Sequence, residues 1–410
     1  MNQRNAAALQ ATKNAVLDWL VARQPEMVNL TRELVTRESP TQDKAACDAL
    51  CEYLAEQFRT LGGKVRVHRQ KSAGNHLQVD FEGAKGRKPV LLLGHFDTVY
   101  DPGTLKTMPW RETSGKLCGP GVFDMKGGIV QMMYAIRALR EVEGGLPRPV
   151  RVWLVSDEEV GSESSRAQTE KLAAACGAVL VCEPSGPGGA LKTARKGVGD
   201  FTIRVTGRAA HSGLDFEKGQ SAIQELAHQI HAIARFTDLK RGITMNVGVI
   251  RGGTRTNVVA EEAVANVDLR IARKADGPVM ERKVRGLKPV NRECRLEITG
   301  GVNRPPLERT KDVAALFAKA RRIAVELGFE LNEIAVGGGS DGNFTAGIGV
   351  PTLDGLGAVG DGAHATHEYI VAAELPKRAA LLAGLIGAVC GLVGGALLAP
   401  KSFDAPLRKA

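Results

Sequence analysis

Three apolar runs in this chain stop abruptly at groups that normally face water. Residues 90–93 lead into Gly94-His95-Phe96-Asp97, residues 150–155 into Ser156-Asp157-Glu158-Glu159, and residues 178–182 into Glu183-Pro184. Continuous apolar segments of this length, bounded by polar turns, read as strands buried on both faces, the pattern of parallel sheets covered by helices. Helical periodicity falls between them, at 128–142 and 163–176, so strands and helices alternate. In such sheets, sites gather at the carboxyl ends of strands. His95, Asp157, Glu158, Glu159 and Glu183 all lie at those ends. The expectation is an α/β fold with a central, mostly parallel sheet that carries a polar site along one edge.

The rest of the chain divides around this sheet. Residues 15–36 and 43–62 read as helices, the second with Asp43 near its cap, and strands follow at 64–69 and 76–81. The middle third changes character. Alternating segments at 201–205, 244–251, 263–271 and 295–299 enclose helical patterns at 221–236 and 279–286. This β-α-β-β-α-β order predicts an inserted α+β domain with an open-faced, ferredoxin-like sheet. We bound it at 197–308, leaving 1–196 and 309–410 to a discontinuous catalytic domain. Helical pattern resumes at 311–327, and strand-like segments at 334–336 and 352–356 return to the first domain.

Composition narrows the function classes. The chain carries 55 Lys and Arg against 45 Asp and Glu, a net charge of +10, but the cations are scattered and aromatics make only 4% of residues. There is little to build a base-stacking platform, so no nucleic-acid partner is expected. A diffuse positive field favours anionic small molecules. The seven cysteines are irregularly spaced with no Cys-x-x-Cys pair, which argues against a disulfide framework or zinc finger and fits a cytoplasmic protein. The N-terminal residues show no export signal. Residues 379–399 lack charge and match a bilayer span in length. Their many Gly and Ala residues weaken the hydrophobic drive, so a buried terminal helix is expected and no membrane association.

The site residues carry specific chemistry. In His95-Phe96-Asp97 an extended backbone puts both polar side chains on one side, so Asp97 can orient an imidazole that binds metal. The pair alone also fits an ordinary surface contact. Asp124 follows the Gly119-Pro120-Gly121 turn and precedes Gly127-Gly128. A carboxylate there can bridge two ions, or simply cap a helix. Lys126 reads as a structural ion-pair partner. Glu158 and Glu159 are adjacent, so in an extended segment one would bind metal while the other faces substrate as a general base. Glu183 fits a ligand at a strand end or a solvated loop residue. Either His364 or His367 can complete the set. Imidazole and carboxylate donors suit borderline divalent metals, and a metal pair can both activate water and polarise a carbonyl. Gly337, Gly339 and Gly342 satisfy G-x-G-x-x-G, but Gly347, Gly349 and Pro351 cut short the helix a dinucleotide site requires.

Together these ordered segments resemble the two-zinc metallopeptidase family of glutamate carboxypeptidase, acetylornithine deacetylase and succinyl-diaminopimelate desuccinylase, from about Pro40 to Tyr369. The resemblance implies two Zn2+ per subunit, with Co2+ or Mn2+ as alternatives. His95 and Glu183 would bind one ion, Glu159 and His364 the other, and Asp124 both. It implies Glu158 as general base, Asp97 as the orienter of His95, and a cis peptide at Asp124–Met125. His367 stands where the family carries an acidic or amide residue. The inserted domain resembles the family's lid and dimerisation domain. Ala209-Ala210-His211-Ser212-Gly213 resembles its oxyanion-binding motif, supplied across the dimer in many members. Asn257, Arg270, Arg304, Gly338, Gly339 and Ser340 resemble substrate-binding positions.

The reading is a cytoplasmic, homodimeric zinc-dependent amidohydrolase. It would cleave a C-terminal peptide or amide bond, or an N-acyl amino acid, with Glu158 as proton carrier. The segment at Val99-Tyr100-Asp101 and the Gly337 loop look most like the glutamate carboxypeptidase branch. Aminopeptidase, dipeptidase and small aromatic amide hydrolase activities stay open. A dinucleotide-binding oxidoreductase and a non-catalytic binding protein are the alternatives from other classes.

Overall fold

The computed structural model describes residues 15–389. The sequence readings for the first residues of the chain and for residues 390–399 lie outside them. The first sheet has six strands, in spatial order Lys64–His68, His76–Phe81, Val150–Val155, Val90–His95, Ala178–Val181 and Thr352–Leu353. The last four are mutually parallel. His76–Phe81 runs against them and pairs antiparallel with Lys64–His68. The mostly parallel α/β sheet expected from the apolar runs is therefore present.

Val90–His95 and Ala178–Val181 are buried at every position, which explains why they read as continuous apolar runs. On one face Leu92, Val152, Leu154 and Leu180 share a core with the helices Gly127–Val142 and Glu374–Ala388. On the other, Leu91, Leu93, Trp153, Val155, Val179 and Val181 pack with Leu172 and Ala173 of the helix Arg166–Ala174. Covered on both sides, the strands leave only their ends open to ligands. Asp43 caps the helix Lys44–Thr60 by accepting from the Ala46 amide at 3.0 Å.

A second sheet has the order Thr244–Gly252, Glu262–Ile271, Gly197–Thr206, Arg295–Arg304, antiparallel throughout. The helices Ala222–Ala234 and Asp276–Arg285 connect its strands in the β-α-β-β-α-β order. Phe201, Ile203 and Val205 face Leu226, Ile233, Met280 and Val284 of those helices. Asp200 and Arg204, on the opposite pleat, are exposed. One face is thus buried and the other open, with strand alternation following from it.

Two features add to the sequence reading. The strand Glu333–Val336 lies outside the main sheet. It pairs in parallel with Leu191–Arg195, a strand the periodicity did not reveal. A further small sheet assembles Arg111–Thr113, Lys116–Cys118, Tyr369–Val371 and Gly360–Asp361. Segments of two or three residues are too short to show a period and exist only through their partners. Near the C-terminus, the described part of the apolar segment continues the buried helix Glu374–Ala388. The buried Arg378 donates to the carbonyls of Gly357, Gly189 and Gly355 at 3.0, 2.8 and 2.5 Å. Among the described residues no helix is long and apolar enough to cross a membrane.

The helix Gly127–Val142 starts hard against the end of the Ala178–Val181 strand. A Cβ on Gly128 would lie 2.1 Å from the carbonyl oxygen of Cys182, the residue before Glu183. Gly128→Ala should therefore force the helix off the strand end and destabilise the fold by about 2 kcal/mol, the scale of core overpacking. The loss would appear as a lower urea midpoint at unchanged slope.

Candidate active site

His95 is the last residue of its strand and is 1% exposed. Its Nε2 lies 3.0 Å from Asp124 Oδ1 and 3.4 Å from Glu183 Oε1. Its Nδ1 faces Asp97, 3.1 Å from the carbonyl and 3.4 Å from Oδ1. The buried Asp97 carboxylate also accepts from Thr41 Oγ1 at 2.8 Å and from the amides of Glu158 and Glu159 at 3.4 and 3.3 Å. One carboxylate thereby ties the His95 strand to the glutamate turn.

His364 comes from a distant loop, in a left-handed conformation with φ 62°. Its Nε2 lies 3.3 Å from Asp124 Oδ2 and 3.2 Å from Glu159 Oε2. Asp124 therefore stands between two imidazoles, one oxygen to each. It is not a helix cap, because the following helix begins without a side-chain cap. The Asp124–Met125 peptide is cis.

Glu158 and Glu159 do diverge, but not by strand pleating. They occupy a single 3-10 turn, Glu158–Val160. Glu159 turns to His364, while Glu158 Oε1 accepts from Arg304 at 2.6 Å. Arg304 also donates to the Glu158 carbonyl and to Ser162 Oγ, both at 2.9 Å, and lies 3.3 Å from Asp341.

The electrostatics call for added positive charge. Burial pushes Glu158 up to about 8, with Arg304 opposing, and it raises Glu159 as well. Burial would lower His95, yet its contacts with Asp124, Asp97 and Glu183 hold it well above its ordinary range. Hydrogen bonds with Asp124 and Glu159 push His364 up to about 10. Burial would raise Asp124, but His364 and His95 hold it far below the usual carboxylate range. The carboxylates thus favour positive charge beside them. Divalent cations would satisfy the same oxygens and leave the imidazoles neutral, the form that ligates metal. Two overlapping groups, His95-Glu158-Glu183 and His95-Asp124-Glu159, each offer ligand atoms within 4.8 Å of one another. The donor set fits such ions.

The residue that holds the cage together was absent from the sequence candidates. Glu368, fully buried, accepts from the amides of Phe123 and Asp124 at 2.7 and 2.9 Å through one oxygen. Through the other it accepts from the Gly121 amide at 2.9 Å and from Tyr100 Oη at 2.6 Å. It thus pins the Asp124 turn to the His364 loop. In the sequence Glu368 is only the glutamate that closes the His364 motif of the resembled family, with no role given to it. Among the described residues Lys126 makes no ion pair. It donates to the Arg37 carbonyl at 2.9 Å, and burial pushes it down to about 8.

Other candidates lie apart from the cage. His211 is exposed, and its Nδ1 accepts from the Gly213 amide at 3.1 Å. Asn257 is exposed, and Arg270 pairs with Asp268 at 2.9 Å. Among the described residues no hydrogen bond or ion pair joins these three to the acidic cluster. Ser340 is buried and donates to Asp354 at 2.6 Å, while the Gly338 and Gly339 carbonyls accept from Arg195 at 3.3 and 3.1 Å. The helix after this glycine loop, Gly342–Gly347, has six residues, too short for the dinucleotide alternative.

A partly buried cage of imidazoles and carboxylates at the carboxyl ends of a mostly parallel sheet defines a metallohydrolase type of site. The chain belongs to the peptidase family M20/M25/M40, whose model matches residues 91–388. It is accordingly a hydrolase acting on amide or peptide bonds, in a metal-dependent family. The chain is similar to carboxypeptidase G2 of Pseudomonas sp. (strain RS-16), at 29% identity over 390 residues and 93% of each chain. It is also similar to the structure of aminopeptidase PepT from Bacillus cereus ATCC 10987, with TM-score 0.76, 25% identity and coverage of 90% and 99%. YXEP of Bacillus subtilis, described as a dinuclear metal binding peptidase, shares the fold at TM-score 0.65 and 15% identity, over 90% of this chain and 98% of that one.

Replacing Glu368 by Gln would turn an NH2 group toward donors that now meet an oxygen. Leaving buried donors unmatched costs about 1–3 kcal/mol. Glu368→Gln should therefore lower stability by about 2 kcal/mol in urea denaturation, with faster amide exchange in the segments around Gly121 and His364.

Proposed function

We propose that this protein is a zinc-dependent hydrolase of the carboxypeptidase type, cleaving a C-terminal peptide or amide bond or an N-acyl amino acid. The single observation that carries the reading is Asp124 lying between His95 and His364, one oxygen to each, with Glu183 and Glu159 alongside. His95 and Glu183 would hold one ion, His364 and Glu159 the other, and Asp124 both. When bound, the ions supply Lewis-acid polarisation of the carbonyl and lower the pKa of water. The likeness to carboxypeptidase G2 favours this substrate class, and that to the dinuclear YXEP favours two ions.

The protein's own groups do the rest. Glu158 takes the proton from the attacking water and returns it to the leaving nitrogen, its elevated pKa suiting it to both steps. Glu158 also lies within ligand reach of His95 and Glu183. Its ion pair with Arg304 favours the base role, because the guanidinium holds Oε1 away from an ion. Asp97 keeps His95 in one orientation through its Nδ1. Arg304 would share its guanidinium with a substrate carboxylate, and Asn257 and Arg270 would add contacts from the lid. Gly338, Gly339 and Ser340 would line the pocket. His211 is exposed and, among the described residues, has no bond to the cage, which favours a homodimer in which the lid histidine of a second copy stabilises the oxyanion. The inserted unit at 197–308 would be that lid, and the six described cysteines, all unpaired, favour the cytoplasm.

A hydrolysis screen over N-acyl amino acids and dipeptides, with and without chelator, tests the assignment. Turnover should vanish on chelation and return with Zn2+. With a tripeptide added to the screen, release of the C-terminal residue supports the carboxypeptidase reading, whereas release of the N-terminal residue would move it to the aminopeptidase alternative, the activity in the name of PepT. Glu158→Gln should bind metal normally and lose about 10²–10⁴-fold in kcat, the usual worth of a general base. Full activity in that variant would remove Glu158 from the role.

The pH profile gives a further check. A base works only when deprotonated, so kcat/KM should rise with pH through the apparent pKa of Glu158. Cations in the cage favour the charged carboxylate, so this limb should lie below the ion-free value of about 8. An acid limb above that value would contradict the placement of Glu158 beside the ions.

A further inference from the structure

Arg195 closes the strand Leu191–Arg195 and is 5% exposed. Its Nε and one terminal nitrogen grip both oxygens of the buried Asp354, at 2.8 and 2.9 Å. The nitrogen that reaches Asp354 Oδ1 also donates to Glu183 Oε2 at 3.4 Å. The other terminal nitrogen donates to the Gly339 and Gly338 carbonyls at 3.1 and 3.3 Å. Asp354 in turn accepts from Ser340 Oγ at 2.6 Å and from the Gly355 amide at 2.5 Å. One planar guanidinium thus touches a carboxylate of the cage, the glycine loop and a buried counter-ion at once. The five donors of arginine, held in a fixed fork, suit this arrangement as a lysine ammonium does not.

We infer that Arg195 is a positioning residue that fixes Glu183 for one of the two ion positions and couples that carboxylate to the glycine loop. The inference rests on the reading of Glu183 as a metal ligand. With Oε2 engaged by Arg195, only Oε1 faces His95, and the carboxylate cannot swing to offer both oxygens. Glu159, on the other side of Asp124, has no such partner: among the described residues its side chain pairs only with His364. The two ion positions are therefore supported unequally, and only one depends on Arg195. Groups that orient a metal ligand typically contribute 10–100-fold in affinity. Because the same guanidinium holds Gly338 and Gly339, its loss also loosens the loop, which acts on substrate binding rather than on the proton transfer.

The test is a calorimetric titration of metal-free protein with Zn2+. The native chain should show two binding steps. Arg195→Lys keeps the charge near Asp354 but loses the fork. It should weaken one step by about 10–100-fold and leave the other within about twofold. In the metal-loaded enzyme it should raise KM more than it lowers kcat. The double variant R195Q/D354N removes the buried pair together, so neither charge is left uncompensated, and it should reproduce the selective loss. Melting of the metal-free variants reports folding separately. Two unchanged steps, an equal fall in both, or failure of both variants to melt cooperatively would each overturn the inference, the last by making Arg195 purely structural. A native chain that takes up no ion would instead sink the proposed function.

Discussion

The arrangement of this molecule turns on one half-buried carboxylate shared between two imidazoles. Asp124 presents Oδ1 to His95 and Oδ2 to His364, and those histidines are separated by most of the catalytic sequence. Around them Glu158, Glu159 and Glu183 crowd more negative charge into a volume largely shielded from water. Such a cluster is costly unless positive charge is supplied to it. The raised imidazole pKa values reflect that demand. The same donors suit divalent cations, in keeping with a metal-dependent family of hydrolases.

Holding the cluster together falls to groups that take no part in that chemistry. Asp97 joins the His95 strand to the glutamate turn through two backbone amides and an imidazole. Glu368 spreads its two oxygens over three amides and a phenol, locking the Asp124 turn to the loop of His364. Arg195 reaches from Glu183 to the glycine loop. Each is a charged side chain almost without solvent, and each has its hydrogen-bonding capacity met by several partners. Buried charge persists only on those terms. The sheet supplies the rigid frame: its strands are covered on both faces, so only their ends stay open, and the cage gathers at the carboxyl ends.

Much of this was legible in the chain. Apolar runs ending in polar residues marked the parallel strands, since burial on both faces removes any need for alternation. Period-two patterns between 201 and 299 marked the open-faced sheet, because one face meets helices and the other meets water. The side chains that meet in the cage, His95, Asp124, Glu158, Glu159, Glu183 and His364, stood at strand ends or in tight turns. Other features were silent. Glu368, Arg195 and Asp354 look like ordinary charged residues, because their importance lies in partners far away in sequence. The strand Leu191–Arg195 and the small sheet around Tyr369–Val371 are defined by pairing alone. The divergence of Glu158 and Glu159 came from a turn, which extended-chain reasoning cannot supply.

What the sequence determined by itself was the class of fold, the order of its elements and the donors gathered at the strand ends, because these follow from local periodicity and side-chain chemistry. Only the tertiary structure decided which oxygen meets which imidazole, that Asp124 stands between the two histidines, and that Arg304 and Arg195 lean on separate glutamates. Those choices depend on distances of a few ångströms between segments tens or hundreds of residues apart. Local propensity carries no record of them, since they are fixed by packing and by the need to satisfy every buried charge at once.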